Sequence, residues 1–183
     1  MAALAALGGV SGALLSMLRE VSHAVPGLGG LRQLLAGIHV LWLVLAMGLL
    51  RKPGAATVTC LLKGTVELLS SNPHGLFVFL YCAAAGISVD LIWLLLGRRD
   101  RLITYMLAGA IGTATAPWVF MLLGLLPPGG VVLRVLLLLT GAALVSGALL
   151  AGLLAWWLVR ALRKAGVAGA HPPSSPVAGS TRT

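Results

Sequence analysis

Apolar positions run in six blocks along the chain, at about 2–18, 34–50, 54–70, 76–97, 102–126 and 131–158. Blocks of that length predict helices. A hydrocarbon core about 30 Å thick takes about 20 helical residues, so the first three are short for it and the last two are long enough to tilt. The breaks are made by turn formers. Pro26-Gly27 and Gly29-Gly30 mark a loop over 23–33, suited to act as a lid, and Pro53-Gly54, Asn72-Pro73 and Pro127-Pro128-Gly129-Gly130 mark tight connections. Pro117 is expected to kink the fifth helix, because it removes a backbone donor. Residues 166–183, GVAGAHPPSSPVAGSTRT, cannot form a core and are expected to be a disordered cytoplasmic tail. The expected fold is therefore all-α, a six-helix membrane domain over 1–165 followed by that tail.

Composition makes lipid the natural solvent. Of 183 residues, 59% are hydrophobic and 9% charged, against about 25% charged in soluble domains. The net charge of +9 is not a nucleic-acid signature, because the basic residues sit at the ends of apolar runs and not on one polar face. Their distribution gives orientation instead. Arg51-Lys52, Arg98-Arg99 with Arg101, and Arg160 with Arg163-Lys164 follow the second, fourth and sixth helices. The other loops hold only Arg19, Arg32 and Arg134. This predicts a multi-pass protein of the cell membrane with both termini cytoplasmic. The first block resembles the apolar part of a signal peptide, but no basic stretch precedes it, so it is expected to be a retained helix.

Polar residues inside the blocks carry the candidate chemistry. At 1.5 Å per residue, Glu67 falls roughly 5 Å below the outer end of its helix. His39 and Tyr81 fall about 7–8 Å below theirs, and Lys63, Trp42 and Trp118 about 10–12 Å. Asn72 and His74 lie in the short loop above. One acid, one base and several rings in one layer suit a ligand site. Asp90 falls at a height similar to that of Lys63 on the neighbouring helix, so the two are expected to form a structural ion pair, as buried charges in lipid do. Glu67 would then be available to a cationic or amidine-like ligand. The plainer alternative is that Glu67 pairs with Lys63 or reaches interfacial water. Trp93 is expected to be packing, and Trp156 and Trp157 interfacial anchors.

Cys60 and Cys82 show no metal-ligand spacing and read as small buried hydrophobes. There is no HExxH, no glycine-rich phosphate loop and no nucleophile triad, so neither an enzyme nor a bound cofactor is expected. Small residues at four-residue spacing on the first helix, Ala2 and Ala6 with Gly9 and Ala13, allow close helix approach. That face is either internal packing or a docking surface for another membrane protein.

The stretch RKPGAATVTCLLKGTVELLSSNPHGL, with YCAAAGISVDLIWLLL and RRDR after it, resembles the YkoE-type S components of energy-coupling factor (ECF) transporters. Lys52, Pro53, Gly54, Ala55 and Ala56 match the family's opening of the third helix, and Glu67 and Gly75 match the next elements. Gly86 and Asp90 match a Gly-x-x-x-acid pattern, with aspartate in place of glutamate, and Cys60 stands where the family has another acid. The resemblance implies a substrate-binding membrane subunit that takes up thiamine or its hydroxymethylpyrimidine precursor, working with a membrane coupling subunit and two cytoplasmic ATPases. It implies that Ala2, Ala6, Gly9 and Ala13 dock the coupling subunit. A different class of function is also open: a stand-alone ion-coupled carrier or small channel, with Lys63, Glu67 and Asp90 as a relay.

Overall fold

The computed structural model describes residues 3, 5–12, 14, 29–69, 76–124 and 132–166. Every regular element among them is helical. Helical residues 5–12 form α1. The rest are α2 (Gly29–Leu50), α3 (Ala55–Leu69), α4 (Phe77–Leu95), α5 (Leu102–Leu122) and α6 (Val132–Ser146). A π-helical segment, Gly147–Leu153, joins α6 to α7 (Leu154–Lys164) without a break. Among the described residues, three stretches are long and apolar enough to cross a membrane: Phe77–Leu95, Leu102–Leu122 and the 32 residues Leu133–Lys164.

Two expected boundaries move. α2 starts at Gly29, so the Gly29-Gly30 pair lies inside a helix and not in the loop expected over 23–33. The last helix runs past 158 to Lys164 and carries Arg163 and Lys164 in its final turn, where cations favour the exposed carbonyls. Pro117 lies within α5, which continues to Leu122.

α2 is the centre of the bundle and packs on α3, α5 and the long last helix. Its second half is buried on all sides, at Val40, Leu43, Val44, Leu45, Ala46 and Met47, as an apolar helix enclosed by others must be. α3 and α4 form a hairpin, and α4 packs on α5. Trp93 is buried in the core, as expected of a packing residue.

α3 is only 15 residues long, about 22 Å. Its first turn is held by α4. Asp90 accepts hydrogen bonds from the backbone N–H of Ala56 (3.2 Å) and Thr57 (2.9 Å) and from the Thr57 hydroxyl (2.7 Å). Negative charge at a helix N-terminus satisfies donors that have no partner within the helix. Gly86, one turn before Asp90, makes the approach possible: a Cβ there would lie 2.6 Å from the Thr57 Cα. The Pro-Gly-Ala-Ala opening and the Gly-x-x-x-Asp pattern are thus two halves of one helix junction.

At the end of the bundle where α2 stops and α5 begins, Asp100 gathers three helices. It accepts from Arg51 (2.5 Å), from Arg163 and from the Tyr105 hydroxyl (2.7 Å). Arg163 also donates to the Gly48 carbonyl, 2.5 Å away, near the C-terminal end of α2. Arg51 adopts a left-handed backbone, φ 51°, at a cost of about 1–2 kcal/mol for a residue with a Cβ. Partial burial works against ionisation of Asp100. The hydrogen bonds from Tyr105 and Arg163, the Arg163 charge and the Arg51 hydrogen bond outweigh it and hold the carboxyl below its ordinary range.

Candidate functional site

α3 presents Lys63 and Glu67 one turn apart, and both are buried, 1% and 3% exposed. They form a direct ion pair. His39 of α2 completes the cluster: its Nδ1 is 3.2 Å from Lys63 Nζ and 3.6 Å from Glu67 Oε1. His39 Nδ1 thus faces both the Lys63 ammonium and the Glu67 carboxylate. Trp42, one turn along α2, donates its indole N–H to Ser11 Oγ of α1 at 2.8 Å, and Ser11 Oγ donates to the Gly8 carbonyl at 2.9 Å.

α1 roofs this cluster with glycines. A Cβ on Gly8 would lie 3.1 Å from Trp42 Cγ and 3.2 Å from Lys63 Cδ. One on Gly9 would overlap the Val66 side chain, and one on Gly12 would overlap the Glu67 carboxylate. The face of α1 that touches the two charges is therefore bare backbone, which is the close approach that small residues allow.

The Lys63–Asp90 pair is corrected by this geometry. Asp90 is engaged at Ala56 and Thr57, about 9 Å along α3 from Lys63, while the Lys63 ammonium turns the other way, to Glu67 and His39. Equal depth was the wrong inference because α3 is shorter than α4, and its first turn offers Asp90 unpaired N–H groups. Glu67 is likewise not held in reserve for a ligand; Lys63 and His39 already engage it. The weaker order of a lysine before a glutamate costs only a few tenths of a kcal/mol, far less than an unpaired carboxylate in an apolar interior. With Asp90 engaged elsewhere, no Lys63–Glu67–Asp90 relay forms.

Of the other expected site residues, Tyr81 stacks on Phe120, centroids 6.3 Å apart and planes 16° from parallel, between α4 and α5. Trp118 is 43% exposed. Asn72 and His74 lie outside the described residues, as do Ala2, Ala13 and residues 167–183. Ala6 is exposed on α1. Gly9 is not available for docking, because it is buried against Val66. Cys60 of α3 and Cys82 of α4 are both free and buried. Sequence reasoning missed Ser11 and Asp100. The second had a visible signal, a lone acid inside the basic run RRDR. Thr59 Oγ1, one turn before Lys63, is buried with no hydrogen-bond partner among the described residues.

Comparison with known proteins follows the same lines. A family described as "ABC-type cobalt transport system, permease component" matches residues 1–116. The "Putative HMP/thiamine permease protein YkoE" of Bacillus subtilis (strain 168) is 30% identical over 122 residues, 64% of this chain. The match spans 59% of that relative's length, less than two thirds of it. A solved structure, "Crystal structure of an S-component of ECF transporter", superposes with a TM-score of 0.79 at 27% identity, covering 91% of this chain and 84% of that one. The resemblance to YkoE-type S components that residues 51–101 carry is borne out.

Proposed function

The chain belongs to the family of ABC-type cobalt transport system permease components, and on that premise we propose that it is the substrate-binding membrane subunit of an ATP-driven ECF-type importer. The subunit is not an enzyme. It captures a small molecule from outside and works with a membrane coupling subunit and cytoplasmic ATPases. It is a multi-pass protein of the cell membrane with six spans and cytoplasmic termini. The basic end, with Arg51, Lys52, Arg98, Arg99, Arg101 and Arg160 exposed, supports that orientation. Ala6, on the open side of α1, is the docking residue for the coupling subunit.

One observation carries the reading: a buried acid, base and imidazole lie against an indole, under a helix that covers them with backbone alone. Charges in such a place mark a function by default. Lys63 at its centre opposes a divalent cation, so the metal in the family's description is not carried to this site. The relative named for HMP and thiamine supports thiamine or its hydroxymethylpyrimidine precursor as ligand. Glu67 and Lys63 bind it, His39 orients Lys63, and Trp42 offers a ring face. Asn72, His74, Tyr81 and Trp118 are secondary candidates at the mouth. Entry requires α1 to move aside.

The test is titration of the purified, folded protein with both compounds, read by calorimetry. Micromolar or tighter binding of either, weakened at least tenfold in Glu67→Gln and unchanged in Trp156→Phe, is the expected result. No binding of either compound overturns the ligand assignment.

A further inference from the structure

We propose that the end of the bundle where α2, α4 and α7 finish binds anionic phospholipid headgroups. The proposal stands on the membrane fold alone and goes beyond the substrate reading.

Asp100 is what concentrates charge there. It accepts from Arg51 and Arg163, and so draws the ends of α2 and α7 to the loop between α4 and α5. Four further cations are chain neighbours of these three residues. Lys52 follows Arg51, Arg99 and Arg101 flank Asp100, and Lys164 follows Arg163. Neighbouring Cα atoms are only about 3.8 Å apart, so the junction brings all four to one surface. Arg98 and Arg160 extend it. These six cations are exposed, and none has a carboxylate partner among the described residues. The acid at this end is already engaged by two other arginines, so the excess charge is left for an outside anion.

The backbone adds an independent sign. Arg51 and Arg98 both have left-handed φ, 51° and 57°, where a residue with a Cβ is strained. Gly97, at φ 69° beside Arg98, is the kind of residue such a position favours. Strain kept at a surface cation points to a use for its side chain. Membrane orientation asks only for lysines and arginines near the ends of spans. It asks neither that they meet on one surface nor that any of them be strained.

Depth selects the occupant. The Arg98 guanidinium lies over the Trp93 ring, 5.8 Å from its centroid, and that of Arg160 over Trp156, at 4.2 Å. Both rings belong to the membrane-crossing stretches Phe77–Leu95 and Leu133–Lys164. The two guanidiniums are thus drawn back along their helices to the edge of the hydrocarbon, where lipid phosphates lie. Trp157, 63% exposed, and Leu95, 71% exposed, offer apolar surface to acyl chains at the same edge. A phosphodiester accepts charge-assisted hydrogen bonds from the guanidiniums while its chains cover that surface. A soluble polyanion answers the charge and leaves Trp157 and Leu95 bare. Clusters of this size beside a span attract anionic leaflets.

The test is native mass spectrometry of the full chain released from nanodiscs of phosphatidylglycerol and phosphatidylcholine in equal parts. Phosphatidylglycerol should be retained at least fivefold over phosphatidylcholine. Arg99→Gln with Arg160→Gln should cut that ratio at least threefold. Arg32→Gln with Arg134→Gln removes the same charge outside this junction and should leave the ratio unchanged. Equal retention of the two lipids by the unmodified chain overturns the proposal, as does an equal loss in both double variants, which would be an effect of net charge alone. Displacement of the retained lipid by millimolar inorganic phosphate would make this a free-anion site, and displacement by polyglutamate a protein-docking surface; either overturns it. The unmodified chain decides between the lipids by itself, so a double variant that fails to fold does not weaken the test. Failure here leaves the substrate reading standing, since titration with hydroxymethylpyrimidine or thiamine does not involve these residues.

Discussion

The two ends of the bundle solve the same problem by different means. Each has a carboxylate surrounded by partners from more than one helix. Glu67 meets Lys63 from its own helix and His39 from α2, with all three enclosed and roofed by α1. Asp100 meets Arg51, Tyr105 and Arg163, but Arg51 and the carboxylate stay open to solvent. The first cluster has balanced charge and little redundancy: remove the ammonium and a buried anion is left over. The second has excess positive charge and several donors, so each contact is individually dispensable and screened by water. Balanced, buried charge is costly to disturb and can be used to read a ligand. An open cluster suits a tie between helix ends.

The sharpest way to break that contrast is Lys63→Met. It should destabilise the fold by about 3–5 kcal/mol, the cost of leaving one member of a buried pair alone. Lys63→Met with Glu67→Gln should recover most of the loss, since the amide needs no counter-charge. Chemical or thermal unfolding in a defined detergent measures both. A single variant as stable as the parent would mean that Glu67 is hydrated, and the two ends would then be alike.

Next in size is Asp90→Ala. It removes three hydrogen bonds at the start of α3 and should cost about 2 kcal/mol. Ligand affinity should be unchanged within about twofold if Asp90 serves the hairpin only. A drop in affinity as large as that of Glu67→Gln would return Asp90 to the site.

Asp100→Asn should cost less, about 1 kcal/mol at neutral pH, because the carboxylate's side chain is 33% exposed to water. Its pH dependence has a definite sign. The folded-state value is held below the ordinary one, so the stabilisation is fully present above the unfolded carboxylate's value of about 4 and is lost as pH falls through the lowered folded value. The stability gap between parent and Asp100→Asn should close on acidification and shrink with added salt. A gap that persists at low pH would show that the charge of Asp100 is not what holds the three helices.

Much of the fold was legible because apolar blocks and turn residues are local signals. α3 came out nearly as expected, and the Lys63–Glu67 spacing pointed to the site at once. What was not legible depended on relative helix heights. Lys63 and Asp90 looked level only on the assumption that neighbouring helices begin in one plane; the short α3 begins where Asp90 can cap it. The glycines of α1 were visible as a small-residue face, but which neighbour they fit cannot be read from spacing. Gly9 turned inward to Val66 while Ala6 stayed exposed. Gly29-Gly30 read as a loop because glycine is a weak helix former, yet α2 includes both.

The smallest expected effect bears on the roof that makes the buried end differ from the open one. Ser11 is the described polar link between α1 and Trp42. Ser11→Ala leaves the indole N–H without its acceptor and should cost about 0.5–1 kcal/mol. Trp42→Phe also removes that donor but loses ring area as well, so it should cost more. If the hydrogen bond is the latch, the two changes together should cost less than their sum, by an interaction term of about 0.5 kcal/mol or more. The same loosening should appear in kinetics. With α1 less firmly seated, ligand association should quicken two- to threefold in Ser11→Ala, with the equilibrium affinity raised by no more than that factor. Stopped-flow titration with the hydroxymethylpyrimidine measures it. Unchanged association together with strict additivity would mean that α1 is fixed by its glycine contacts alone. The cluster of Lys63, Glu67 and His39 would then have to be reached by a path that does not lift that helix.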